Sequence, residues 1–194
     1  MTAMHFIEAY PGTLSKDECE AIIARFEADP NKVVSRTQRG VNEKLRTGTM
    51  LEIVDRAEWA DVSKLVLSKV AANAARYAEK YKSLVPFVQP GRHYLSPPLL
   101  EKIEPGQGYN WHIDAGPAGT THRLISTLLY LRDIDDAGAT EFPFQQVAVK
   151  PRAGLMVLFP PFWTHLHRGA PPMSETKYNI TNYVCLTEEQ AAAR

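Results

Sequence analysis

Two textures divide the chain near residue 90. Before it, apolar positions recur at helical spacing. After it, they fall in short runs cut by Gly, Pro and Asp. Ser15 with Glu18 three residues on forms a capping box ahead of Ile22, Ile23 and Phe26, and Asp29-Pro30 closes that helix. A second helix is predicted over about 61–82, where Val62, Leu65, Val66, Lys69/Val70, Ala74, Tyr77 and Tyr81 trace one broad face. Between the helices, 31–48 is polar and basic and predicts a loop with short extended pieces. Lys32, Arg36, Arg39, Lys44 and Arg46 read there as solvated surface, with the rim of a cleft as the functional alternative. A strand is expected over 49–54.

Beyond Pro90 the pattern predicts strands over 99–103, 124–131, 146–149, 155–159 and 178–186. Many short strands behind a helical first third predict a mainly β fold, a double-sheet roll with the N-terminal helices packed outside. The expected organisation is one continuous structural domain. It comprises a helical and supporting segment (1–90), a β core (91–187) and a frayed tail (188–194).

Composition narrows the function. The chain has 194 residues, 44% of them hydrophobic, and 22 basic against 22 acidic side chains. The resulting zero formal charge gives no support for a nucleic-acid partner. No apolar stretch reaches transmembrane length, and no secretory signal pattern is visible. Cys19 and Cys185 fit neither a disulfide framework nor a zinc motif. Two buried free thiols suit a reducing compartment, so a cytoplasmic location is expected. Oligomeric state leaves no signature.

The candidate chemistry lies in Tyr109-Asn110-Trp111-His112-Ile113-Asp114. If this segment is extended, His112 and Asp114 share a face and converge on one point. A second pair, His165 and His167, has the same period of two. Two histidines and one carboxylate form the facial triad of non-haem iron(II) oxygenases, which leaves adjacent coordination positions open. Periodicity alone does not choose between His165 and His167. The turn-forming stretch 169–175 then leads into Lys177, ten positions after His167, at the start of a strand beside the ligand strand. An ammonium entering a barrel interior needs a partner, and a dicarboxylate co-substrate supplies one. Trp111 and Trp163 flank the ligand segments and are expected to pack around the metal.

In these motifs the chain resembles the 2-oxoglutarate and iron(II)-dependent dioxygenases, specifically the prolyl-4-hydroxylase-like branch. His112, Asp114, His167 and Lys177 match the family's order and spacing. Tyr109 stands where the family often has a tyrosine, and Gly138-Ala139-Thr140-Glu141-Phe142 matches its Gly-Gly-x-Thr-x-Phe segment, with Ala139 in place of the second glycine. The resemblance covers about residues 90 to 186.

It implies a double-stranded β-helix (jelly roll), His112, Asp114 and His167 as metal and catalytic residues, and iron(II), 2-oxoglutarate and O2 as cofactors, with ascorbate as a candidate stimulant. It also implies Lys177, Tyr130 and Tyr109 as co-substrate contacts. Asn179 is a weaker candidate. Arg123 reads equally as a guard of the pocket mouth or as a solvated side chain. His165 is left as a buried histidine or a group supporting the metal site. Asp114 in the third ligand position argues against the halogenating relatives. The implied reaction is hydroxylation of an unactivated C–H bond, first of a peptide or protein prolyl residue and second of a free amino acid or other small molecule. A cupin-like module that binds metal without turnover is the rival class, and Lys177 argues against it.

Overall fold

The computed structural model describes residues 5–37, 40–116 and 119–187. Arg39 and the 188–194 tail therefore lie outside the described residues. The first helix, α1 (Lys16–Ala28), starts as its capping box predicts. Ser15 Oγ accepts from the Glu18 amide while Glu18 Oε2 accepts from the Ser15 amide. It ends at Asp29, whose carboxylate also accepts from Trp59 Nε1 at 2.8 Å. Trp59 is fully buried at the head of α2 (Ala60–Lys80), so that hydrogen bond ties the two helices together. Ile22, Ile23 and Phe26 of α1 and Val62, Val66, Val70, Ala74 and Tyr77 of α2 share one core with the large sheet's Leu51, Leu100, Ile125, Leu129, Met156, Leu158, Ile180 and Val184. Each such large side chain contributes roughly 1.5–3 kcal/mol on burial.

The strands in chain order are β1 (Glu8–Tyr10), β2 (Val33–Val34), β3 (Thr49–Glu52), β4 (His93–Leu95), β5 (Leu99–Ile103), β6 (Tyr109–His112), β7 (Arg123–Tyr130), β8 (Thr140–Phe142), β9 (Val147–Val149), β10 (Met156–Phe159), β11 (His167–Gly169) and β12 (Lys177–Leu186). They make an eight-stranded sheet, β1-β10-β7-β12-β5-β3-β2 with β4 also on β12, and a four-stranded sheet, β6-β11-β8-β9. All ladders are antiparallel. The two sheets face each other as a jelly roll, with Tyr130, Phe142, Leu155, Val157 and Phe159 in a second core between them.

The expected mainly β roll with outer helices is present. The first third does more than support it, because β1 extends one edge of the large sheet and β3 with β2 extends the other. Gly154 makes the junction possible. A Cβ there would stand 2.0 Å from the Leu14 carbonyl oxygen, and its φ of +76° suits glycine. Cys19 and Cys185 are both buried free thiols. Among the described residues, no helix is long and apolar enough to cross a membrane.

Candidate functional site

The roll encloses a cavity of about 940 Å³ between its two sheets. His112, Asp114 and His167 converge on its wall, with candidate ligand atoms all within 4.8 Å of one another. Register produces the convergence. His167 on β11 lies directly opposite His112 on β6. The loop after β6 turns Asp114 toward both, because the Asp114 and Ala115 amides donate to the Pro161 carbonyl at 3.0 and 2.9 Å. Asp114 Oδ1 is then 3.7 Å from His112 Nε2, and Oδ2 is 3.6 Å from His167 Nε2. Ligands on adjacent octahedral positions, each about 2.1 Å from a metal, are about 3 Å apart, so a small closure fits an ion.

The hydrogen bonds also prepare the donors. His112 Nδ1 lies 2.7 Å from the Asn110 carbonyl oxygen, and His167 Nδ1 lies 2.9 Å from that of His165. A carbonyl only accepts, so each Nδ1 carries the proton and each Nε2 presents a lone pair to the common point. Burial, with His167 nearby, holds the His112 imidazole down to about 4 against the pull of Asp114. Burial would raise the Asp114 pKa, but His167, His112, the Ser126 hydroxyl and Arg123 together hold it below the ordinary carboxylate value. Two imidazoles and one carboxylate are the donor set of a divalent cation.

Lys177 lies in the same cavity and is 2% exposed. Its Nζ donates to the Gly138 carbonyl at 3.0 Å, which leaves ammonium donors available to a ligand. Gly138 turns that carbonyl inward at φ +70°, in the Gly138–Phe142 segment. Burial lowers the Lys177 pKa to about 8, and the Glu101 carboxylate opposes the shift. A metal triad and a buried ammonium in one cavity match a chelating dicarboxylate with a second, distal acid group.

Residues 98–185 match the family described as the 2OG-Fe(II) oxygenase superfamily. That match spans most of the β core, from the strand Leu99–Ile103 to near the end of the strand Lys177–Leu186. The match and the convergent donor set together support iron(II)- and 2-oxoglutarate-dependent dioxygenase chemistry. The chain's fold is that of prolyl hydroxylases. A prolyl hydroxylase from Trichoplax adhaerens, solved with a hypoxia inducible factor oxygen degradation domain peptide fragment, superposes with a TM-score of 0.76 at 16% identity, covering 98% of this chain and 88% of that one. The viral collagen prolyl hydroxylase of Paramecium Bursaria Chlorella virus-1, in its 2OG complex, gives 0.68 at 18% identity over 94% and 97% of the two chains. The Arabidopsis thaliana "Probable prolyl 4-hydroxylase 9" is 24% identical over 203 residues, 90% of this chain and 67% of that protein.

The remaining candidates fall at different distances from the cavity. Tyr109 lines it, its ring stacked on His112 with centroids 3.4 Å apart and planes 9° apart. Tyr130 is fully buried behind the wall, and its hydroxyl donates to Thr140 Oγ1 at 2.6 Å, so Thr140 is the group that reaches the cavity. Arg123 and Asn179 line the cavity, Arg123 with Nη1 2.7 Å from the Asp114 carbonyl and Asn179 with its amide on Glu101 at 3.0 Å.

Three expectations are corrected. His165 does not share a strand face with His167. It closes a 3₁₀ turn, Trp163–His165, and its buried imidazole bonds to Thr164 Oγ1 and the His5 carbonyl, both at 2.9 Å. The flanking tryptophans do not pack around the metal. Trp163 is 74% exposed, and Trp111, 38% exposed, faces away from the cavity beneath the Arg168 guanidinium. Arg46 is not solvated surface. It is buried in an ion pair with Glu101, whose other oxygen accepts from Asn179 and from Thr181 Oγ1 at 2.9 Å. Its guanidinium also covers the Tyr109 ring at 4.8 Å.

Sequence reasoning named Arg46 only within a basic surface or cleft rim, and passed over Glu101, Ser126 and Tyr183. For Tyr183 a signal existed: it stands six residues beyond Lys177 on the same strand face. Arg46 had none, because it sits in a basic stretch without periodicity.

Proposed function

We propose that this protein hydroxylates a prolyl residue of a peptide or protein, releasing succinate and CO2. His112, Asp114 and His167 would hold the iron, and Lys177 the distal carboxylate of 2-oxoglutarate. The observation that carries the residue roles is the pair of Nε2 lone pairs and the Asp114 carboxylate aimed at one point, in a cavity that also buries an ammonium. Bound iron(II), with 2-oxoglutarate and O2, supplies the oxidising chemistry for an unactivated C–H bond.

The chain's own residues supply the placement. The carbonyls of Asn110 and His165 keep both imidazoles in the metal-binding tautomer. Lys177 and the Gly138 carbonyl fix the co-substrate end of the cavity. The two sheets wall it on opposite sides. Arg36, Thr37, Gly40, Glu52 and Val54 form the outer wall on the other side, so segment 31–48 borders the space left for substrate. A peptidyl proline as the substrate is supported by the likeness in fold to prolyl hydroxylases, one of them solved with a peptide fragment.

A free amino acid or other small molecule is the second reading. It is favoured by the exposed Arg36–Glu52 pair on the outer wall, which presents both signs of charge to a zwitterion. Succinate release from labelled 2-oxoglutarate, screened over prolyl peptides and free amino acids with mass spectrometry for a product heavier by one oxygen, decides between them. Stoichiometric succinate and hydroxyproline with a peptide supports the proposal. Turnover with free amino acids alone overturns the peptide assignment.

A further inference from the structure

Asp114 is the anionic member of the triad, and a hydroxyl from the large sheet holds each of its oxygens. Ser126 Oγ donates to Oδ2 at 2.6 Å, and Tyr183 Oη donates to Oδ1 at 3.2 Å. The two hydroxyl residues are direct partners across the β7–β12 ladder, so one register sets both contacts. Tyr183 is itself fixed. The Arg123 guanidinium lies over its ring at 3.7 Å, while Arg123 Nη1 donates to the backbone carbonyl of Asp114 at 2.7 Å. The phenol therefore stands on the cavity wall, clamped between a cation and a candidate metal ligand.

The geometry points to Tyr183 as a positioning residue that, paired with Ser126, fixes the plane of the Asp114 carboxylate so that it meets the metal through one oxygen. The coordination count gives this a purpose. Two imidazoles and one carboxylate oxygen would take three of the six positions of an octahedral ion, which would leave three for a two-point chelator and O2. A carboxylate free to turn and bind through both oxygens would occupy a fourth. A hydroxyl held on each oxygen, from neighbouring positions of one rigid sheet, opposes that turn. Supporting hydrogen bonds of this kind typically change metal affinity by about 10–100-fold. The inference rests on the reading of His112, Asp114 and His167 as the metal ligands.

The test compares wild type with Tyr183→Phe and Tyr183→Trp by anaerobic Fe(II) and Co(II) titration, together with the visible spectrum of the Co(II) protein and thermal melting. Phe removes the hydroxyl and keeps the ring beneath Arg123. Trp serves the same comparison should the Phe chain fold poorly. The expected result is metal affinity lowered about tenfold and a changed Co(II) spectrum, with the melting temperature of Tyr183→Phe near that of wild type. A role of the ring in packing alone would leave the affinity and spectrum of Tyr183→Phe unchanged. Wild-type affinity and spectrum in both variants overturn the inference and leave the ligand assignment standing. A wild-type protein that takes up neither metal overturns the ligand assignment and the inference with it.

Discussion

His112 and His167 face each other across the β6–β11 ladder, and each commits its Nδ1 to the carbonyl two residues before it. The repeated local pattern makes the pair symmetric about the point where Asp114 enters. His112→Ala, Asp114→Ala and His167→Ala should each weaken anaerobic Fe(II) binding by at least about tenfold and abolish coupled turnover. Wild-type affinity in any of the three would remove that residue from the ligand set.

His165→Ala tests the neighbouring histidine. Its imidazole bonds to Thr164 and His5, and only its backbone carbonyl serves His167, which the substitution preserves. Metal affinity should stay near wild type while stability falls by about 1–2 kcal/mol from lost buried hydrogen bonds. Loss of metal from His165→Ala with retention in His167→Ala would exchange the two roles.

Lys177→Ala and Lys177→Met should raise the KM for 2-oxoglutarate by about 30-fold or more and leave iron affinity nearly intact. Loss of a desolvated charge pair costs about 2–5 kcal/mol. Lys177→Arg should be intermediate, since a longer planar cation replaces a compact one. Unchanged co-substrate affinity in Lys177→Met would dismiss this lysine as the anchor.

The pH profile follows from the same burial. With the Lys177 pKa lowered to about 8, the free enzyme carries the ammonium below that pH and loses it as pH rises through it. Co-substrate binding needs the charged form, so 2-oxoglutarate affinity should fall above about pH 8, and Lys177→Arg should flatten the fall. Direct binding measured by calorimetry across pH 6.5–9.5, a range chosen to bracket about pH 8, checks this. A wild-type profile that is level through that range contradicts it.

Breaking the Arg46–Glu101 pair separates charge from shape in the cavity wall. Glu101→Ala strands a buried guanidinium and should cost about 3–5 kcal/mol, whereas the double replacement Arg46→Met with Glu101→Leu should recover most of it. Chemical denaturation of the three chains reads this directly. If the double variant is stable and still hydroxylates its substrate at the wild-type rate, the pair has no part in recognition.

Long elements with strong local chemistry were legible in the sequence. The Ser15–Glu18 box places α1, and the apolar face over 61–82 gives α2 to within two residues at either end. Period-two runs give β5, β7 and β12 nearly complete. The three-residue strands β1, β4 and β8 were not predicted, whereas β9, of the same length, was, and β11 was read only as the strand holding His167. The strand β6 has one face toward a polar cavity and the other toward solvent, so its apolar pattern is weak although it carries His112. His165 and His167 share a parity, yet the 3₁₀ turn between β10 and β11 breaks the strand that would have made parity meaningful. The convergence of His112, Asp114 and His167 and the burial of Lys177 were legible because the chemistry sought constrains residue type. The groups around them were not, since a serine, a tyrosine and a surface-like arginine acquire their roles only through register.

The placement of β12 at the middle of the large sheet has a consequence for synthesis. It pairs with β7, β5 and β4, and it leaves the ribosome after every other described strand. Until it emerges, β7 and β5 each lack a ladder partner, and β3 is attached to a sheet with no centre. The nascent chain must therefore carry open strand edges from the completion of β5 until β12 emerges, a state prone to mispairing with other chains. The helices α1 and α2 are complete by then, and their apolar faces wait for the same sheet. Chaperone dependence during expression should track the exposure of these edges, and a slow final closure, dominated by contacts distant in sequence, is the folding step that this topology imposes.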